Sequence, residues 1–278
     1  MSQCDIRKAE SLILPMLARP DARQRQALAT IDALGLNVLK HAGRNVVRSY
    51  VAWRYLKWRM TSAARRGQSL RDIETQLRPI FKRMTERVYH SAVLKRAATA
   101  YERIKHHLAG ERLLDLGAGN GLIAQTIQER TRMTVTLAAV VNYSLTNLPI
   151  VIFPQGGRIP LEDASVDTTL IYLVLHHADD PLRLLGEAVR VTRQRLIIME
   201  GYADDDDTHL VNCFFDWFLN RVVQGADINL PLNFQTTAEW RQIFTEHGLH
   251  IVQQDVVGID EPVAPENHVL FVLDRQAC

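Results

Sequence analysis

Cysteine is scarce in this chain: Cys4, Cys213 and Cys278 are odd in number, far apart and without a CxxC pair among 278 residues. That spacing argues against a disulfide framework and against a structural zinc site, so no metal is expected. Cys213 reads as a small buried hydrophobe. Long apolar runs are missing as well, which excludes a spanning helix and any stable membrane insertion. The amino terminus, MSQCDIRKAE, lacks the apolar core of a secretory signal, so a cytoplasmic protein is expected. Neither internal repeats nor low-complexity linkers are present, and the formal net charge is only +2.

What is there fits an ordinary globular chain. With 47% hydrophobic and 23% charged residues, it can bury one substantial core or two modest ones. The charge is uneven, however. From Arg44 to Arg112 basic residues outnumber acidic ones by about three to one.

Before about Leu108 glycine and proline are few, and apolar residues recur at helical spacing, as in Leu12, Leu14 and Leu17 or Val47, Val51, Tyr55 and Trp58. Residues 1–108 are therefore expected to form a helical segment. From 109 to 278 short apolar runs alternate with amphipathic stretches. Strands are expected in RLLDL at 112, TVTLAAVV at 134, PIVIF at 149, TTLIYLVL at 168, RLIIM at 195, HIVQQDVV at 250 and HVLFVL at 268. Asp179 or Asp180 caps a helix with Pro181 in its first turn, and Thr236 with Glu239 has capping-box spacing for another. Apolar strands alternating with helices imply a Rossmann-like α/β fold, a mostly parallel sheet sandwiched by helices.

The stretch LLDLGAGNGLIAQTIQ is the chemical signal. A buried strand ends in a glycine-rich turn that opens directly into a helix. Gly117, Gly119 and Gly121 let the chain turn sharply and let a ligand approach main-chain atoms at the carboxyl edge of the sheet. The spacing is GxGxG, not GxGxxG, and Leu122 stands next, which suits a ligand without a pyrophosphate. Asp115 can reach such a ligand through turn amides or accept a hydrogen bond from its amino group. A strand-turn-helix whose glycines serve the turn alone is the plainer reading.

These residues, with IPLEDASVD at Ile159, LVLHHADDP at Leu173 and LLGEAVRVTRQRLIIME at Leu184, resemble the class I S-adenosylmethionine (SAM) dependent methyltransferases, in particular the small-molecule branch of the ubiquinone and menaquinone biosynthesis enzymes. The resemblance covers about Glu111 to Leu273. It implies a seven-stranded sheet with an antiparallel last strand, SAM as cofactor, a small-molecule acceptor and an amino-terminal helical lid. It also implies cofactor contacts at Asp115, Gly117, Ala118, Gly119 and Gly121.

The chain departs from that family where the second strand usually ends in an acidic residue for the ribose hydroxyls. Here it reads LAAVVNYS, and the task falls to Asn142 or to backbone, with Asn142 as a simple turn residue the other reading. Gln155, followed by Gly156, can serve an adenine edge, or it is a plain loop residue. Tyr172 lies where the family faces the methionine half of the cofactor, and its ring could attract a sulfonium or belong to the core. His176 is the candidate base or substrate contact after the fourth strand, while His177 reads as packing or capping at a helix entry. Glu200 is a second candidate base, its alternative a solvated loop carboxylate.

The run Asp204 to Asp207 reads as solvated loop acids. The basic aromatic segment RSYVAWRYLKWRM reads as a helix packing on its own domain; the alternative is an interfacial helix on a membrane surface or on nucleic acid, and no nucleic-acid module accompanies it. The expected function is a SAM-dependent methyltransferase for a small molecule, in secondary metabolism. The alternatives are an intramolecular cyclase of the azetidine-2-carboxylate synthase type, which would release methylthioadenosine, and a SAM-fold subunit without catalysis.

Overall fold

Apolar side chains at helical spacing before residue 108 do build helices. The computed structural model describes residues 6–41, 45–259 and 265–275, with nothing said of the side chains of residues 41 and 83–90. Cys4 and Cys278 fall outside the described residues. Two compact units are present, and they divide the chain elsewhere than at 108/109. One takes Met1–Ala92, Tyr202–Phe234 and Gly258–Asn267; the other takes Val93–Gly201, Gln235–Val257 and His268–Cys278.

The first unit is helical. It contains α1 (Arg7–Ala18), α2 (Ala22–His41), α3 (Val46–Arg65) and the first part of α4 (Leu70–Ile104). Further along, β1 (Arg112–Leu116), α5 (Leu122–Arg130), β2 (Thr134–Ala139), β3 (Ile150–Ile152), β4 (Val166–Tyr172), α6 (Pro181–Val191) and β5 (Thr192–Gly201) belong to the second unit. The chain then returns to the first with α7 (Asp206–Trp217) and a π-helical turn, Phe218–Val223.

The helical core gathers Ile13, Met16, Ile31, Trp53, Leu56 and Phe81 around the aromatic group Phe214, Trp217 and Phe218. One buried charge pair lies within it. Glu74 accepts hydrogen bonds from the Trp217 indole at 2.9 Å and the Arg221 guanidinium at 2.8 Å, so neither ion is buried alone.

Two sequence expectations change here. Of the acids at 204–207 only Asp204 stays in the exposed loop: Asp205 caps α7 by accepting from Thr208 N at 2.7 Å, and Asp206 and Asp207 sit in its first turn. Carboxylates belong there because the helix N-terminus carries partial positive charge. The stripe of Val47, Val51, Tyr55 and Trp58 faces solvent, whereas Ser49, Trp53, Leu56, Met60, Ala63 and Ala64 form the buried side of α3.

The second unit is the Rossmann-like α/β sandwich. Its seven strands run in the order β3-β2-β1-β4-β5-β7-β6, completed by β6 (Leu249–Gly258) and β7 (His268–Arg275). β3, β2, β1, β4 and β5 pair in parallel, while β7 lies antiparallel to β5. The tail of α4 and α5 cover one face, closing over Leu113, Leu137, Leu170 and Ile197. α8 (Thr237–Glu246) stacks Trp240 on Phe244, which meets Phe271 of β7 edge-on at 4.9 Å. The capping box at Thr236 and Glu239 is present. Asp180, not Asp179, caps α6.

Most strands differ in extent from the sequence reading, and two of the differences bear on the site. β2 stops at Ala139, leaving Val140 and Val141 exposed, and β4 starts at Val166 and stops at Tyr172. Leu173 has φ +59°, a left-handed backbone uncommon for leucine, which ends β4 abruptly.

Candidate functional site

In this sheet the strand order reverses direction between β1 and β4, and the carboxyl edge at such a point is where open α/β sheets bind ligands. The chain leaves β1 through Gly117–Gly121. Gly117 has φ +76°, donates its N–H to Ala138 O at 2.7 Å, and lies so close to Val174 that an added β-carbon would fall 2.4 Å from its Cγ1. Gly119 has φ +51°, and nothing lies within 4 Å of where its β-carbon would point. One glycine is required by packing and the other leaves main chain open to approach. Ala118 O accepts from Gly121 N at 2.8 Å, and Gly121 opens α5.

Beneath this loop stands Asp115, the fourth residue of β1, only 3% exposed. No side-chain hydrogen bond or ion pair joins it to another of the described residues. Burial alone pushes its carboxyl up to about 7. A carboxyl held this way favours a cationic or hydrogen-bond-donating partner.

A cleft opens on the same edge, with about 590 Å³ of empty space counting its mouth. Leu116 and Gly117 supply one wall, Ala139, Val140 and Phe153 another, and Gln155–Gly157 a third. The far side is built by Val174, His177 and Ala178 and by the start of α6 around Asp180 and Arg183. Gln155 and Gly156, read from the sequence as candidates for an adenine edge, line this cleft. Phe153, Val174 and Arg183 were not singled out there, since a phenylalanine ending a strand and a valine following one carry no chemical signature.

Asn142 does not line this cleft. It is exposed, and its Oδ1 accepts from Ser144 N at 2.9 Å, the local turn that asparagine favours. Apolar Ala139 and Val140 stand at the end of β2 instead.

The two histidines exchange the roles given to them from sequence. His177 lines the cleft, whereas His176 is buried, its Nδ1 2.6 Å from Glu200 Oε2. Glu200 is not a solvated loop carboxylate. It is fully buried at the end of β5, and its Oε1 accepts from Val174 N at 2.8 Å and Leu175 N at 2.6 Å. Those bonds satisfy amides of the turn that follows the left-handed Leu173, so the side chain shapes the loop after β4. Tyr172 packs in the cluster beneath α4 and α5, and the Arg96 guanidinium lies 5.9 Å from its ring centroid. Its ring thus already attracts a cation belonging to the protein.

Residues 114–198 match the family model described as a methyltransferase domain. A probable S-adenosylmethionine-dependent methyltransferase of Mycolicibacterium smegmatis is 32% identical over 104 residues, which cover 36% of this chain and 40% of that protein. An uncharacterized protein of Methanocaldococcus jannaschii is 27% identical over 105 residues, 38% of this chain and 51% of its own. The match therefore spans about half or less of these relatives' lengths.

Among solved structures, the fold is similar to a geranyl diphosphate C-methyltransferase from Streptomyces coelicolor, crystallised with Mg2+, geranyl diphosphate and S-adenosylhomocysteine, at a TM-score of 0.51 and 13% identity over 68% of this chain and 84% of that one. It is also similar to a SAM-dependent methyltransferase of Thermotoga maritima, described as a possible histamine N-methyltransferase, at a TM-score of 0.50 and 17% identity over 71% of this chain and 99% of that one. The matched stretch, residues 114–198, is thus similar to a methyltransferase domain.

Proposed function

We propose that the chain is a SAM-dependent methyltransferase acting on a small-molecule acceptor in secondary metabolism. The observation that carries this reading is Asp115, a buried carboxyl without a partner among the described residues, beneath the open main chain of Gly119. A ligand with an amino acid portion suits both: its ammonium supplies the countercharge that Asp115 lacks, and its carboxylate can approach the loop amides. When bound, SAM contributes an electrophilic methyl on sulfur.

The protein's own share is positioning. Ala139, Val140 and Phe153 give the cleft apolar walls for a flat heterocycle, and Gln155 offers an amide that can both donate and accept at its edge. The non-acidic end of β2 leaves ribose hydroxyls to solvent and backbone. His177, an imidazole on the cleft wall, is the group available to take a proton from an acceptor. Glu200 and His176 hold the turn on which His177 stands. Most of the rate then comes from alignment of acceptor and methyl.

The test is to incubate the purified protein with SAM, with and without candidate acceptors, and to identify products by mass. S-adenosylhomocysteine formed only with an acceptor supports the reading. Methylthioadenosine formed without one would overturn methyl transfer in favour of intramolecular cyclisation. Absence of measurable SAM binding at millimolar concentration counts against both and favours a subunit without catalysis. Gly119→Ala meets no neighbour, but the left-handed φ of +51° strains an alanine there by about 1–2 kcal/mol, so the variant is expected to fold with a lowered melting temperature and to lose SAM affinity.

A further inference from the structure

A helix in a globular unit needs one apolar face, and α3 has two. Ser49, Trp53, Leu56 and Met60 pack inward, with the Trp53 indole donating to Asp32 Oδ1 at 3.0 Å. On the opposite side Val47, Val51, Tyr55 and Trp58, at i, i+4, i+8 and i+11, form a stripe about 16 Å long. Val47 is 71% exposed, Val51 61% and Trp58 60%. Tyr55 and Trp58 lie side by side, ring centroids 6.2 Å apart. Nothing among the described residues covers the stripe.

Its borders are cationic. By helical geometry Arg54 flanks one side and Arg48 and Arg59 the other. Arg48 and Arg54 form no ion pair with any described residue. From Ala33 through Leu70 the sequence holds eight Lys or Arg and no Asp or Glu. Lys57, turned toward the core side, is neutralised by Asp32, so the uncompensated charge lies around the outer stripe.

We infer that the outer face of α3 docks the protein, peripherally, on a bilayer surface bearing anionic headgroups. An aromatic and aliphatic stripe between arginines matches such an interface layer by layer: valines and the indole enter the acyl boundary, and the guanidiniums meet the phosphates. No described helix is long and apolar enough to cross a membrane, so the contact is a surface one. Nucleic acid would use the arginines but gains nothing from Val47 and Val51. A second copy meeting this face by two-fold symmetry would oppose arginine to arginine with no acid in α3 to offset them.

The experiment uses the full chain with vesicles of phosphatidylcholine, alone or mixed with phosphatidylglycerol. Of the four tryptophans only Trp58 is exposed, Trp53, Trp217 and Trp240 being buried, so an emission blue shift reports the stripe directly. Co-sedimentation and a blue shift with the anionic vesicles, both lost at high salt, are expected. Trp58→Phe should abolish the shift. Arg48→Gln combined with Arg54→Gln should weaken binding about twenty-five-fold, at about fivefold per charge, with an unchanged circular dichroism melt.

Three results would overturn the inference: no binding to anionic vesicles, tighter binding to a DNA oligonucleotide at the same salt, or a dimer that Val51→Ser dissociates. All arms are read without SAM or acceptor, so their failure leaves the enzymatic reading untouched.

Discussion

At the scale of single residues, Asp115 has the most to say about the cofactor. Its carboxyl titrates near 3.8 when the chain is unfolded and at about 7 in the folded protein. Between those values the folded state binds the proton more tightly, so the stabilisation is complete below about pH 4 and is lost as the pH rises through about 7. Asp115→Asn keeps the shape without the charge. It should flatten this slope and exceed the parent in stability at about pH 8, as denaturant titrations at several pH values would show. SAM's ammonium prefers the ionised carboxylate. Its affinity should therefore rise roughly fivefold from about pH 6 to about pH 7, while the amino group is still protonated, and calorimetric titration of the Asn variant should show no such rise.

The sequence made Asp115 and the glycine loop legible because a strand, a turn and a helix follow one another without interruption. It could not separate His176 from His177. Adjacent side chains point in different directions, and only the single left-handed residue at Leu173, invisible in composition, decides which imidazole reaches the cleft.

At the scale of elements, the loop after β4 depends on a residue from β5. Glu200 contacts three amides and one imidazole at once. Glu200→Ala would take the acceptor from the Val174 and Leu175 amides, at a cost of about 1–3 kcal/mol, and loosen the wall on which His177 stands. The expected outcome is a lower melting temperature together with weaker SAM binding, although Glu200 itself does not line the cleft. His177→Ala, by contrast, should lower turnover with little change in melting temperature. A melt and a rate measured on each variant distinguish the two roles.

The strands were readable because a parallel sheet covered on both faces leaves them nearly continuous in apolar character. α7 was not readable for the same reason in helical form. VNCFFDWF is buried on every side, so no period of 3.6 marks it, and its acidic cap resembled a loop. The outer stripe of α3 misled in the opposite sense. Its spacing was the helical one, but periodicity cannot say which of two apolar faces meets the core.

For the whole molecule, the two units have separate cores, the aromatic cluster around Phe218 in one and the sheet cluster around Leu170 in the other. SAM, held in the proposal by groups of the sheet unit, should stabilise that unit by mass action, by about 2.7 kcal/mol at a hundredfold excess over its Kd. Scanning calorimetry is expected to show a transition that moves upward with SAM. A second transition that stays in place would mark the helical unit as an independent thermal domain.

The position of β7 carries a consequence for synthesis. It is the last strand of this sheet to leave the ribosome, yet it lies between β5 and β6. Until residues 268–275 emerge, β5 presents a bare edge of apolar side chains and β6 has no neighbour to join. A nascent chain stalled before that point would expose an adhesive strand, and would depend on a chaperone or on rapid completion to avoid pairing with another copy of itself.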